Sequence, residues 1–72
     1  MDDSQRFSGI VREFSISRGI GLIEMDGSSE PVTVRYSAIR GEGIRTLRAG
    51  QRVSFELEQD RRGLSALRVV GE

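Results

Sequence analysis

Short runs of alternating apolar and polar residues, separated by glycine, organise this chain from end to end. Glycines stand at 9, 19, 21, 27, 41, 43, 50, 63 and 71, and the runs between them are rich in Val, Ile and Phe, as half-buried strands are. The pattern predicts five strands, near residues 6–14, 18–24, 31–36, 50–59 and 64–70. Asp26-Gly27-Ser28-Ser29 predicts a turn, because glycine accepts positive φ and aspartate caps its own backbone. Asp60-Arg61-Arg62-Gly63 predicts the closure of a second hairpin. Pro31 lacks a ladder donor and belongs at a strand start or an edge. Residues 37–49 show no clean alternation and are too glycine-broken for a full helix, so a long connection with one helical turn is expected there.

The same alternation sorts the faces of the strands. Val32 and Val34 point one way, Thr33 and Arg35 the other; Val53, Phe55 and Leu57 share a face opposite Ser54, Glu56 and Glu58. Val11, either Leu22 or Ile23, Ile39, Leu47, Ala66 and Val69 complete a candidate core. The second strand is ambiguous. With Ile23 inside, Gly19 and Gly21 share its face, and Ile20 and Leu22 stand outside beside Arg18. Five strands with one long connection predict an all-β fold, a closed five-stranded antiparallel barrel of the OB type, which leaves few vulnerable edges. No internal repeat, low-complexity segment or linker interrupts the chain, and residues 1–72 read as a single domain.

Composition narrows the function classes. A chain of 72 residues buries only about 60% of the surface it exposes unfolded, so the core is thin. With no cysteine and no histidine, there is no disulfide, no thiolate or imidazole metal site, and no commonest general base. Glu24, Asp26 and Glu30 flank a turn without the spaced ligands of a cation loop. Gly19-x-Gly21 is half of a dinucleotide fingerprint with no helix behind it, and Ser37 has no base partner. A binding module is therefore expected, with no catalysis and no cofactor. No apolar run approaches the roughly 20 residues of a membrane span, and Met1 to Arg6 begins acidic with no apolar stretch behind it, unlike a signal peptide. A reducing cytoplasm is the expected location.

Net charge is zero, but it is unevenly spread: residues 1–30 carry −3, residues 31–52 carry +4 and the remainder −1. Local clustering governs attraction of an anionic partner more than the total does. All eleven basic residues are arginine, a side chain that stacks and pairs bidentately with phosphate.

Several consecutive segments carry a family resemblance. Gly9-Ile-Val-Arg-Glu-Phe-Ser15 followed by Arg18-Gly-Ile-Gly-Leu-Ile23 resembles the first two strands of the bacterial cold-shock domain, which read approximately G-x-V-K-W-F-N and K-G-F-G-F-I. Val32-Thr-Val-Arg-Tyr-Ser-Ala-Ile39 is similar to that family's V-F-V-H-F-S-A-I. The segments 41–47, 50–56 and 62–69 continue in register, so the resemblance covers about residues 7–70 almost without gaps. It implies a five-stranded OB barrel, in agreement with the strand pattern. It also implies binding of single-stranded RNA or DNA through aromatics on strands two and three framed by basic residues.

Most of that aromatic platform is replaced in this chain. Glu13 stands where the family has tryptophan; Ile20, Leu22, Thr33 and Ile44 stand where it has phenylalanines, Arg35 replaces a histidine and Ser15 an asparagine. Phe14, Tyr36, Arg12, Arg18 and Arg62 survive in kind. The resemblance thus places the nucleic-acid-binding residues at Arg12, Phe14, Arg18, Ile20, Leu22, Thr33, Arg35, Tyr36 and Arg62. Each base stacked on an aromatic contributes roughly 1–3 kcal/mol, so losing two such contacts costs roughly 2–6 kcal/mol, and Glu13 repels a phosphate backbone. Weak, salt-sensitive binding is expected, with a salt slope near about −3 if four arginines touch phosphate. The alternative is a barrel turned to protein interaction or dimerisation through an apolar patch of Ile20, Leu22, Ile44 and Tyr36.

Overall fold

The structure, a computed structural model, describes residues 6–40 and 46–71. It contains β1 (Phe7–Ser15), β2 (Ile20–Met25), β3 (Pro31–Arg35), a single 3-10 turn over Tyr36–Ala38, β4 (Arg52–Asp60) and β5 (Gly63–Gly71). The strands close into a barrel in the order β1-β2-β3-β5-β4. The all-β barrel expected from the pattern is therefore the fold. One contact departs from the antiparallel expectation: β3 and β5 run parallel, pairing Val32 with Leu64 and Thr33 with Ser65. Strand direction alternates along the chain, so β3 and β5 run the same way, and with β4 placed against β1 it is β5 that closes the barrel on β3.

The boundaries shift for local reasons. Arg18 and Gly19 belong to the β1–β2 turn rather than to a strand, because the Gly19 amide donates to the Ser15 carbonyl at 2.8 Å. Tyr36 opens the 3-10 turn instead of ending β3, and its amide donates to the Gly19 carbonyl at 2.7 Å. Pro31 begins β3. The Asp60 carboxylate accepts from the Arg62 amide at 2.8 Å and fixes the second hairpin turn.

The core contains Val11, Ile23, Val32, Val34, Ile39, Leu47, Val53, Phe55, Ala66 and Val69. Leu57, expected on the inner face, packs against this cluster but is only half-buried. Ile23, rather than Leu22, takes the inner position of β2. Gly21 explains why: a Cβ there would lie 2.7 Å from a Phe14 ring carbon and would overlap the Glu13 carbonyl. The missing side chain is the space into which the Phe14 ring folds, and β2 is locked with Ile23 inward.

Two bulges bend the barrel. In the β1–β2 ladder Val11 pairs with Ile23, but Glu13 pairs with Leu22, so Arg12 is an extra residue. The bulge moves the inward positions of β1 from Val11 to Phe14. In the β4–β5 ladder Ser54 pairs with Val70 and Glu56 with Leu67, which leaves Arg68 and Val69 both opposite Phe55. Arg68 has φ +49°, in the left-handed region. This kink lets Ala66 and Val69, three apart, both reach the core.

Candidate nucleic-acid interface

The outward face of β1, β2 and β3 carries two rows of cross-strand neighbours. One row is Glu13–Leu22–Thr33 and the other Ser15–Ile20–Arg35. Adjacent strands lie about 4.8 Å apart, so each row spans about 10 Å. The middle of the face is aliphatic and its two sides are polar.

Three shallow recesses run along this face. The central one, ≈ 570 Å³, is lined by Glu13, Phe14, Ser15, Arg18, Ile20, Gly21, Leu22 and Thr33. A second, ≈ 470 Å³, shares Arg18 and Ile20 with it and adds Ile16, Ser17, Gly19, Arg35, Tyr36 and Ser37. The third, ≈ 360 Å³, shares Glu13 and Leu22 and extends toward Arg12, Glu24, Ser29 and Pro31. Shared walls make them one trough, from Tyr36 at one end to Pro31 at the other.

The expected binding residues fall unevenly along it. Phe14, Arg18, Ile20, Leu22, Thr33, Arg35 and Tyr36 meet in the central and Tyr36-end recesses. Ile20 and Leu22 are half-buried and do not stand free of the sheet as expected, with the cross-strand partners Arg35 and Thr33 beside them on the same face. Arg12 lines the Pro31 end but is bound to Glu24, with 2.9 Å between guanidinium and carboxylate. Arg62 does not join the trough. It sits in the β4–β5 turn, two residues before the Leu64 that pairs with Val32, so it lies beyond the Pro31 end of β3. Ile44 lies outside the described residues.

The electrostatics follow from these pairings. Among the described residues, the Arg18 and Arg35 side chains have no hydrogen-bond or ion-pair partner, whereas Arg12 has Glu24 and Arg52 has Asp26 at 2.6 Å. The trough therefore offers two unpaired guanidiniums to a phosphate, not four. Tyr36 is 49% exposed and sits beside both of them. Ile16, not anticipated as a site residue, is 73% exposed at the same end. Its signal was in the sequence: an isolated aliphatic in the turn between two strands has no core to face. Among the described residues no group of His, Cys, Asp or Glu could hold a metal ion, and no helix is long and apolar enough to cross a membrane.

The profile of the 'Cold-shock' DNA-binding domain family matches residues 7–72. The chain belongs to this family. The cold shock protein CspB of Bacillus caldolyticus is 48% identical over 62 residues, covering 86% of this chain and 92% of that protein. The cold shock-like protein CspA of Vibrio cholerae is 41% identical over 67 residues, covering 93% and 96%. The cold shock-like protein CspG of Shewanella violacea is 40% identical over the same length, again covering 93% and 96%. Cold-shock domain proteins bind single-stranded nucleic acid and are not enzymes.

Proposed function

We propose that this cold-shock protein binds single-stranded RNA or DNA weakly and with strong salt dependence, through the β1–β3 trough, as a cytoplasmic RNA chaperone or a regulator of transcription or translation. The observation that carries this reading is the placement of unpaired Arg18 and Arg35 beside exposed Tyr36 on a face otherwise floored by Ile20 and Leu22. Arginine supplies both phosphate pairing and a planar group that stacks on a base, recovering roughly 1–2 kcal/mol of the lost aromatic contacts. Aliphatic floor residues exclude water beneath a base but lack the π-face that gives a stack its strength.

Two phosphate contacts from unpaired arginines set a salt slope of about −1.4 on single strands, shallower than four would give. Oligonucleotide titration followed by Tyr36 fluorescence or backbone amide shifts tests this directly. Shifts confined to β1–β3 and the Tyr36 turn support the reading. No shift on that face at millimolar oligonucleotide overturns it.

A protein-interaction role is the second reading, and Ile16 favours it: an aliphatic side chain this exposed, beside Ile20 and Tyr36, suits burial against another protein. Against it, Ile20 and Leu22 are half-buried, so they add less apolar surface than their sequence positions promise. Sedimentation at high concentration separates the homodimer version. A monomer under those conditions removes it.

A further inference from the structure

Glu13 is a charge on the trough that weak phosphate binding leaves without a purpose. It is exposed, it lines both the central recess and the recess toward Pro31, and it makes no hydrogen bond or ion pair with a described residue. Its neighbour Arg12 is held by Glu24 instead. Toward a sugar–phosphate chain an unpaired carboxylate is repulsive. Toward the edge of a base it is a strong, acceptor-only group.

The two cross-strand rows fix what that edge must be. A base lying on Leu22 and Ile20 has Glu13 and Ser15 along its β1 side and Thr33 and Arg35 along its β3 side. The sides are about 10 Å apart at the backbone, the width of two strand spacings, which holds one ring system with a hydrogen bond at either edge. Acceptors therefore dominate one side and donors the other.

We propose that Glu13 makes the trough selective for guanine within single-stranded nucleic acid, a selectivity that rests on the nucleic-acid reading above. Guanine is the base with two adjacent donors, N1–H and the 2-amino group, which can both donate to one carboxylate. Its N7, across the ring from the 2-amino group, then accepts from the β3 side, where Thr33 stands opposite Glu13 and can donate its hydroxyl, which leaves Arg35 to the phosphate. Adenine and cytosine each offer one amino group next to a ring nitrogen whose lone pair repels a carboxylate. Thymine and uracil offer one N–H between two carbonyls. The replacement of an aromatic by Glu13 thus removes a stack that tolerates any base and installs an edge contact that discriminates among them.

The test compares a seven-residue oligothymidylate with the same strand carrying a single central guanine. A bidentate base contact gives roughly five- to a hundredfold discrimination, and about tenfold tighter binding of the guanine strand is expected at this open site. Replacing that guanine by inosine, which lacks the 2-amino group, returns affinity most of the way to the oligothymidylate value. Glu13→Val removes the acceptor at a strand position that valine suits. It is expected to abolish the guanine preference while binding oligothymidylate more tightly, since the repulsion is gone. Equal affinity of the wild-type chain for the guanine, inosine and all-thymidine strands overturns the guanine proposal alone. Absence of binding to any strand at millimolar concentration overturns both it and the nucleic-acid reading.

Discussion

Both bulges of this barrel carry an arginine, and the two arginines sit in contrasting surroundings. At the β4–β5 bulge, Arg68 holds both carboxylate oxygens of Glu56, at 2.9 and 3.1 Å. Arg6 closes the cluster by donating to the Arg68 carbonyl at 2.8 Å and to the Ser54 hydroxyl at 3.0 Å. The Glu56 side chain is only 19% exposed, and the network lies where the backbone is strained at Arg68. Such strain persists only where the surroundings over-determine it. At the β1–β2 bulge, Arg12 has a single, more exposed partner in Glu24, and the next cations along the face, Arg18 and Arg35, have no acidic partner among the described residues. One side of the barrel has its arginines committed to the fold. The other side leaves Arg18 and Arg35 available to a ligand.

That contrast can be broken most forcefully from the ligand side. Restoring aromatics with Glu13→Trp, Ile20→Phe, Leu22→Phe and Thr33→Phe adds stacking worth roughly 2–6 kcal/mol even if only two of the four engage. Single-strand affinity measured by fluorescence should rise by a factor of about thirty or more. No gain would mean that Arg18 and Arg35 do not frame a nucleic-acid strand.

Glu56→Gln sharpens the other half of the comparison. It removes the carboxylate shared by Arg6 and Arg68, and urea denaturation should show a loss of about 1 kcal/mol in stability. Oligonucleotide affinity should be unchanged, because the network lies on β4 and β5, away from the trough. An affinity change as large as the stability change would show that the two sides are not separate.

Glu24→Gln is the smallest and most selective change. It frees Arg12 while removing an exposed pair whose contribution to stability is about 0–1 kcal/mol. The salt slope should steepen from about −1.4 to about −2.1, because a third guanidinium then reaches phosphate. An unchanged slope would place Arg12 out of reach of the strand.

The interior was almost fully legible from alternation, because β3 and β4 bury every second residue and the period of two leaves no other arrangement. The β2 ambiguity was resolved by Gly21, whose missing side chain accommodates Phe14. The bulges escaped that reading, although their trace is visible: Val11 to Phe14 and Ala66 to Val69 are both odd steps between inward residues. An extra residue in a strand changes which charges become neighbours, so the Arg12–Glu24 pair could not be anticipated from spacing alone. Tyr36 was read as the end of a strand because the turn that captures it depends on a hydrogen bond to Gly19, seventeen residues earlier. Arg62 was placed in the site by resemblance, whereas the parallel β3–β5 pairing puts its turn at the far end of the barrel face.

The proposed phosphate contacts of the trough come from two arginines, Arg18 and Arg35, that are unpaired among the described residues. The dependence of single-strand affinity on salt, measured for the wild-type chain and for Arg18→Gln/Arg35→Gln, tests this most directly. The wild-type slope should be about −1.4 and the slope of the double variant close to zero. A wild-type slope near about −3, or a double variant that keeps the wild-type slope, would contradict it.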